Sequence, residues 1–197
     1  MRRVVLATGN RDKVRELREL FGAVGADVVP AFELGDAPDV IEDGATLAEN
    51  ALKKAREIAA WCGEICVADD TGLEVAALDG APGVYAARYA GENVTYEDNW
   101  RKLLHELSGE AHRFACFRTV MALVDPSNGL EKTVDGVLEG EILDSERGDG
   151  GFGYDPVFYV PSAGRSLAEM TLEEKNEISH RARAARAMAE VLREYLG

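Results

Sequence analysis

Apolar residues recur along the chain in two rhythms, and the two alternate. Val4-Val5-Leu6-Ala7 is a short β-rich run closed by Thr8-Gly9-Asn10, which predicts a strand. Directly behind it Val14, Leu17, Leu20, Phe21 and Val24 return at three- and four-residue spacing, which predicts a helix. A second short strand is predicted from Asp27 to Pro30. Thr46-Leu-Ala-Glu49 has the form of a capping box, in which the Thr and Glu side chains satisfy free N–H groups at a helix start. The helix behind it puts Ala48, Ala51, Leu52, Ala55, Ile58, Ala59 and Cys62 on one face. Ile65-Cys66-Val67-Ala68 reads as a buried strand ending in Asp69-Asp70-Thr71-Gly72, and Thr95-Tyr-Glu-Asp98 opens a helix carrying Trp100, Leu103, Leu104 and Leu107.

The second half changes rhythm. Phe114 to Val124 and Lys132 to Leu143 read as two long strands, with Pro126-Ser-Asn-Gly129 as the turn between them. The glycine cluster Gly148-Asp-Gly-Gly-Phe-Gly153 follows, then a short strand over Val157-Phe158-Tyr159-Val160. Thr171-Leu-Glu-Glu174 is another capping box, and a last helix from Ser179 to Leu196 turns Ala182, Ala185, Ala189, Leu192 and Leu196 inward. Early strand–helix alternation with a late hairpin predicts an α/β fold with a mixed sheet.

Composition supports a globular chain: 197 residues, 46% hydrophobic, 29% charged, only 6 prolines. The length suits one domain over residues 1–197, with room for a second lobe. The net charge of -14 repels nucleic-acid phosphates and argues against a general DNA or RNA binder. A small anionic substrate stays open if a metal ion and local Lys and Arg offset its charge. Cys62, Cys66 and Cys116 are odd in number and form no C-x-x-C, which suits a reducing cytosol rather than a disulfide framework or a structural zinc site. The apolar run at the N-terminus is too short for a signal peptide or membrane span, so a soluble cytoplasmic protein is expected.

Five segments are candidates for chemistry. Thr8-Gly9-Asn10-Arg11-Asp12-Lys13 lies between a strand and a helix N-terminus, where free N–H groups and the helix dipole favour an anion. It is neither a Walker A loop nor a dinucleotide fingerprint, and a plain turn with Asn10 as N-cap explains it equally well. Asp69-Asp70-Thr71-Gly72 puts two carboxylates at a strand end, suited to Mg²⁺ or to taking a proton from water. Consecutive strand residues face opposite sides, so the two Asp should have different tasks; a solvated turn is the plain alternative. Glu42-Asp43 is a loop pair whose role depends on folding bringing Glu42 near Asp70. Phe152-Gly153-Tyr154-Asp155-Pro156 could swing an aromatic out to stack on a base, or simply be a hairpin bend with core aromatics. Lys175 with Ser179-His180-Arg181 offers donors, or only a surface helix start. Tyr85, Tyr89 and Tyr96 are candidates for an oligomer interface.

With these segments in place the chain resembles the inosine/xanthosine triphosphate pyrophosphatase family, which clears non-standard purine nucleotides from the nucleotide pool. The shared segments are Thr8-Gly-Asn-x-x-Lys13, Glu49-Asn-Ala51, Ala68-Asp-Asp-Thr-Gly72, Gly80-Ala-Pro-Gly83, Ala87-Arg-Tyr-Ala-Gly91, Gly150-Gly-Phe-Gly-Tyr-Asp-Pro156, and Lys175 with Ser179-His-Arg181. The resemblance implies an elongated α/β fold with a mixed sheet, two lobes and a central cleft, and a homodimer that needs Mg²⁺. It implies that inosine, deoxyinosine and xanthosine triphosphates are hydrolysed to monophosphate and pyrophosphate. Thr8, Gly9, Asn10, Arg11, Asp12 and Lys13 would then hold the phosphates. Asp70 would be the general base and, with Glu42, a metal ligand, Asp69 supporting the same site. Thr71 would touch substrate, and Phe152, Gly153, Tyr154, Asp155, Lys175, His180 and Arg181 would bind the base and sugar. Many relatives carry two acidic residues beginning at the position before Glu42, where this chain has Ile41. Cys66 and Cys116 are expected in the core. The competing readings are a phosphatase of the haloacid dehalogenase type, a sibling pyrophosphatase with another base preference, and a nucleotide-binding module without turnover. The adjacency of Asp69 and Asp70 departs from the phosphatase motif, whose two Asp stand two residues apart.

Overall fold

Why the Asp pair stands where it does follows from the order of strands. The computed structural model describes residues 2–197, apart from the side chains of Asp12 and Glu16. In chain order the elements are β1 (Arg2–Leu6), α1 (Arg11–Gly22), β2 (Ala26–Pro30), α2 (Leu47–Cys62), β3 (Ile65–Val75), β4 (Pro82–Gly83) and α3 (Tyr96–Glu106). There follow β5 (Phe114–Asp125), β6 (Leu130–Ile142), β7 (Phe158–Val160), β8 (Arg165–Ser166), α4 (Leu172–Ile178) and α5 (His180–Leu196). The strands form one eight-stranded sheet in the order β2-β1-β3-β5-β6-β7-β8, with β4 pairing with β3. β1 runs parallel to β2 and β3. β4 on β3, and β7 between β6 and β8, are antiparallel, so the sheet is mixed as the sequence predicts.

The chain falls into two compact units, each assembled from separated segments. One comprises the described residues up to Asp70, Thr119–Gly136 and Arg183–Gly197. Its core joins Val4 and Leu6 of β1, Val14, Leu17 and Phe21 of α1, Ile65 and Val67 of β3, and Ala184, Ala185, Met188, Ala189 and Leu192 of α5. The intervening strand residues Val5, Cys66 and Ala68 point the other way and are buried too, the pattern of a parallel strand covered on both faces. With β1 between β2 and β3, right-handed crossovers put α1 and α2 on opposite faces.

The second unit comprises Thr71–Arg118 and Val137–Ala182. Its core draws on Leu73 and Val75, on Trp100 and Leu103 of α3, on Phe117, Leu138 and Ile142, and on Tyr154, Val157 and Phe158.

Local signals hold well. Thr46 with Glu49, Thr95 with Asp98 and Thr171 with Glu174 each make both halves of a capping box. One strand end differs from expectation. The run from Ile65 does not stop at Ala68; Asp69, Asp70, Thr71 and Gly72 lie inside an eleven-residue strand that reaches Val75. Turn-favouring residues continue the strand because its neighbours continue: β4 pairs at Leu73 and Glu74, and the twelve-residue β5 lies beside it.

Candidate active site

The strand–helix junction after β1 is held from within. Ala7 N–H makes a last ladder bond to the Val67 carbonyl, 2.9 Å. Asn10 Oδ1 accepts from the Lys13 N–H at 3.1 Å, the N-cap geometry, and Asn10 N–H donates to Thr8 Oγ1 at 3.2 Å. Thr8, Gly9 and Lys13 line a cavity of about 400 Å³ together with Glu42, Lys54 and Asp69. Arg11 lies elsewhere: it borders a larger concavity of about 680 Å³ along α1 with Arg15, Arg18 and Glu33. That concavity holds neither Asp69 nor Asp70, whereas the smaller one holds Asp69. The Asp12 side chain lies outside the described residues.

β3 sends its two aspartates to opposite helices. Asp69 shares the Ile65–Val67 face, is buried, and takes Lys13 Nζ of α1 at 2.6 Å. Asp70, half-buried on the other face, accepts from Asn50 Nδ2 of α2 at 3.0 Å. Asn50 is buried in turn, and its Oδ1 accepts from the Gly44 N–H at 2.7 Å. A Cβ at Gly44 would stand 2.7 Å from that oxygen, so only glycine lets the loop come this close. One turn beyond Asn50, Lys54 pairs with Glu42, while Asp43 takes Lys53 at 2.6 Å and is held below the usual carboxylate range by that bond. The structure therefore brings Glu42 and Asp69 to one cavity, and Asp70 is not among the residues lining it. Thr71 follows on β3, half-buried.

Among the described residues no three His, Cys, Asp or Glu side chains gather closely enough to cage a metal ion by themselves. Mg²⁺ does not ask for such a cage: it keeps several waters and takes one or two carboxylates plus phosphate oxygens. Glu42, Asp69 and Asp70 are oxygen donors of the type Mg²⁺ takes; Glu42 and Asp69 are each paired with a lysine ammonium, which a bound cation would displace.

The second cluster lies on the glycine-rich segment. Phe152 is 56% exposed, Tyr96 beside it 59%. Their ring centroids are 6.4 Å apart at 50°, and the Arg181 guanidinium stands 5.9 Å from the Phe152 centroid. Asp155 is buried and ties the bend, accepting from the Phe152 N–H and from Lys175 Nζ, both at 3.1 Å. Gly151, at φ +80°, has no room for a Cβ, which would fall 2.2 Å from Asp155 Oδ2. His180 stacks on Phe117 with centroids 4.8 Å apart. Arg181 Nε is buried and meets no acceptor among the described residues. Gly153 leaves open space beside its backbone. Tyr154, expected at the ligand, is a core residue whose hydroxyl donates to the Ala86 carbonyl at 2.8 Å.

Both strand cysteines are buried, as expected of core residues. Burial pushes the Cys66 thiol far up, and burial with Glu74 beside it pushes Cys116 up to about 11. Asn50, Gly44 and Lys54 received no role from sequence reasoning. The available signal was a polar Asn on the otherwise small, apolar face of the second helix, with a Lys one turn on.

A parallel strand–helix–strand start feeding a mixed sheet defines an α/β protein. Residues 4–191 match the Ham1 family, and the chain belongs to it. It is 50% identical to a dITP/XTP pyrophosphatase of Thermoanaerobacter sp. over 92% of each chain. It is also 50% identical to one of Desulforamulus reducens, over 96% of this chain and 95% of that one. Among solved structures, a HAM1 protein from Coxiella burnetii superposes with a TM-score of 0.94 at 43% identity, covering 98% of this chain and 100% of that one. The Staphylococcus aureus Ham1 protein gives 0.92 at 39%, covering 98% and 99%. Among the described residues no helix is long and apolar enough to cross a membrane.

Proposed function

We propose that this protein hydrolyses non-canonical purine nucleoside triphosphates, those of inosine, deoxyinosine and xanthosine, to the monophosphate and pyrophosphate. The observation that carries the reading is the adjacent Asp pair of β3, one held by Lys13 and the other by Asn50, in a chain half identical to dITP/XTP pyrophosphatases.

Thr8 to Lys13, with the N-terminus of α1, receive the phosphates through N–H groups and the Lys13 charge. Asn50 fixes one oxygen of Asp70, which leaves the carboxylate oriented to take a proton from the attacking water. Water attacks the α-phosphorus and pyrophosphate departs; no covalent intermediate is needed. Glu42 and Asp70 are the residues that would hold Mg²⁺, with Asp69 in support; the ion would supply positive charge against the phosphates. Phe152 stacks on the base, and Thr71, Gly153 and Lys175 complete the contacts. Arg181 and His180 donate to the C6 keto oxygen of hypoxanthine or xanthine, where adenine would present an amine; the buried Arg181 Nε, which meets no acceptor among the described residues, supports this assignment. The two units are read as lobes of one domain, and a cytoplasmic homodimer belongs to the same reading.

The test is turnover with Mg²⁺ on inosine, xanthosine, adenosine and guanosine triphosphates side by side, measuring pyrophosphate and free phosphate separately. Pyrophosphate chiefly from the first two is expected. Free phosphate would indicate a phosphatase, and tight binding without turnover a sensor. Asp70→Asn should lower kcat about 10²- to 10⁴-fold; an unchanged kcat removes Asp70 as the base.

A further inference from the structure

We propose that Tyr96 is a second aromatic wall of the base site, a ligand-contacting residue that sets affinity for the base alongside Phe152. The inference rests on the reading of Phe152 as the base-stacking residue.

Two large aromatic rings, each more than half exposed, stand 6.4 Å apart and tilted by 50°. Exposure alone would be ordinary; their mounting is not. Tyr96 is the first residue of α3, and its backbone is set by the Thr95–Asp98 capping box. One turn on, Asn99 is buried and grips the neighbouring 3-10 segment twice, donating to the Ala87 carbonyl at 3.1 Å and accepting from the Ala90 N–H at 2.7 Å. From the other side Tyr154, two residues past Phe152, donates to the Ala86 carbonyl. Residues 86–90 are thus clamped between the helix that carries Tyr96 and the bend that carries Phe152. Trp100, Leu103, Tyr154 and Val157 share one core beneath them. The scaffold fixes the spacing of two rings and leaves both in water.

Arg181 stands over the Phe152 ring and Tyr96 is tilted beside it. A purine laid on Phe152 would meet the Tyr96 ring at a similar tilt of about 50°, an inclined aromatic contact between the stacked and edge-to-face limits that ring quadrupoles favour. The sequence offered Tyr96 as an interface residue; its place beside Phe152 is what points to a ligand contact.

The experiment compares Y96A, Y96F and F152A with the native enzyme on inosine triphosphate. It also measures product inhibition by the nucleoside monophosphate and by pyrophosphate. Y96A should raise KM about 3- to 10-fold, the range of one aromatic contact. The monophosphate Ki should rise in parallel, while kcat and the pyrophosphate Ki, which involve no base, stay unchanged. Y96F should behave as native. If F152A raises KM and Y96A does not, the Tyr96 proposal falls and the base reading stands. If neither moves KM, the base reading itself falls. A Y96A enzyme that loses pyrophosphate affinity equally, or a Y96F enzyme as impaired as Y96A, overturns the ring contact in favour of a structural or hydroxyl role.

Discussion

Asp69 and Asp70 are neighbours in sequence and face different helices. The period-2 geometry of a strand made that separation legible before any coordinates, but not the partners. Lys13 and Asn50 lie 56 and 20 residues away from their aspartates, and no local pattern joins them. The distinction predicts different losses. Asp70→Asn should act on kcat, whereas Asp69→Asn leaves Lys13 without its carboxylate and should act chiefly on KM for the triphosphate. Gly44→Ala probes the same path at one remove. Its methyl group would press on Asn50 Oδ1 and shift the donor that orients Asp70. A fall in kcat of about 10- to 10²-fold with little change in KM is expected, since small misplacements are costly in catalysis. Steady-state kinetics on the purified variants decides. Loop glycines of this type look interchangeable in a sequence; only the distance to a neighbour's side chain singles one out.

At the scale of elements, what is local in origin was legible. Capping boxes at Thr46, Thr95 and Thr171 announced their helices because the bonds involved span three residues. Thr46→Ala should cost about 1 kcal/mol, a fall in Tm of roughly 2–4 °C for a chain of this size, measurable by calorimetry with the catalytic side chains intact. The end of β3 was not legible, because an Asp-Asp-Thr-Gly run carries every local mark of a turn. Its extended form depends on strands 82–83 and 114–125, and a pairing contributed by distant segments leaves no trace in a short window. The same cause hid β4 and β8, of two residues each, which are strands only by virtue of what they pair with.

At the scale of the molecule, the N-terminal strand, the end of β5 and the C-terminal helix meet at one buried carboxylate. Asp125 takes Arg2 at 2.9 Å, Tyr195 Oη at 2.5 Å, and the N–H and hydroxyl of Ser127 at 2.8 and 2.6 Å. Burial pushes this carboxyl up, but the Ser127 and Tyr195 bonds and the Arg2 charge outweigh it and hold it below the usual range. A carboxylate with a lowered folded pKa contributes stability that is fully present above the unfolded pKa of about 3.9 and is lost as pH falls through the folded value. Melting temperatures followed downward from pH 5 should therefore fall more steeply for the native protein than for Asp125→Asn, which should be the less stable of the two at pH 7. Parallel slopes would show that the cluster carries no such linkage.

The segmented make-up of the first unit sets an order of events during synthesis. β1 leaves the ribosome long before α5, yet Val4 and Leu6 share their core with Ala184, Ala185, Met188 and Leu192. Folding as translation proceeds is the habit of contiguous domains. Here the earliest strand can pack on α1 and β3 as they emerge, but its core is closed only when one of the latest helices arrives, so a nascent chain halted before Arg183 should remain more open to proteases and chaperones along β1 and α1 than the full chain.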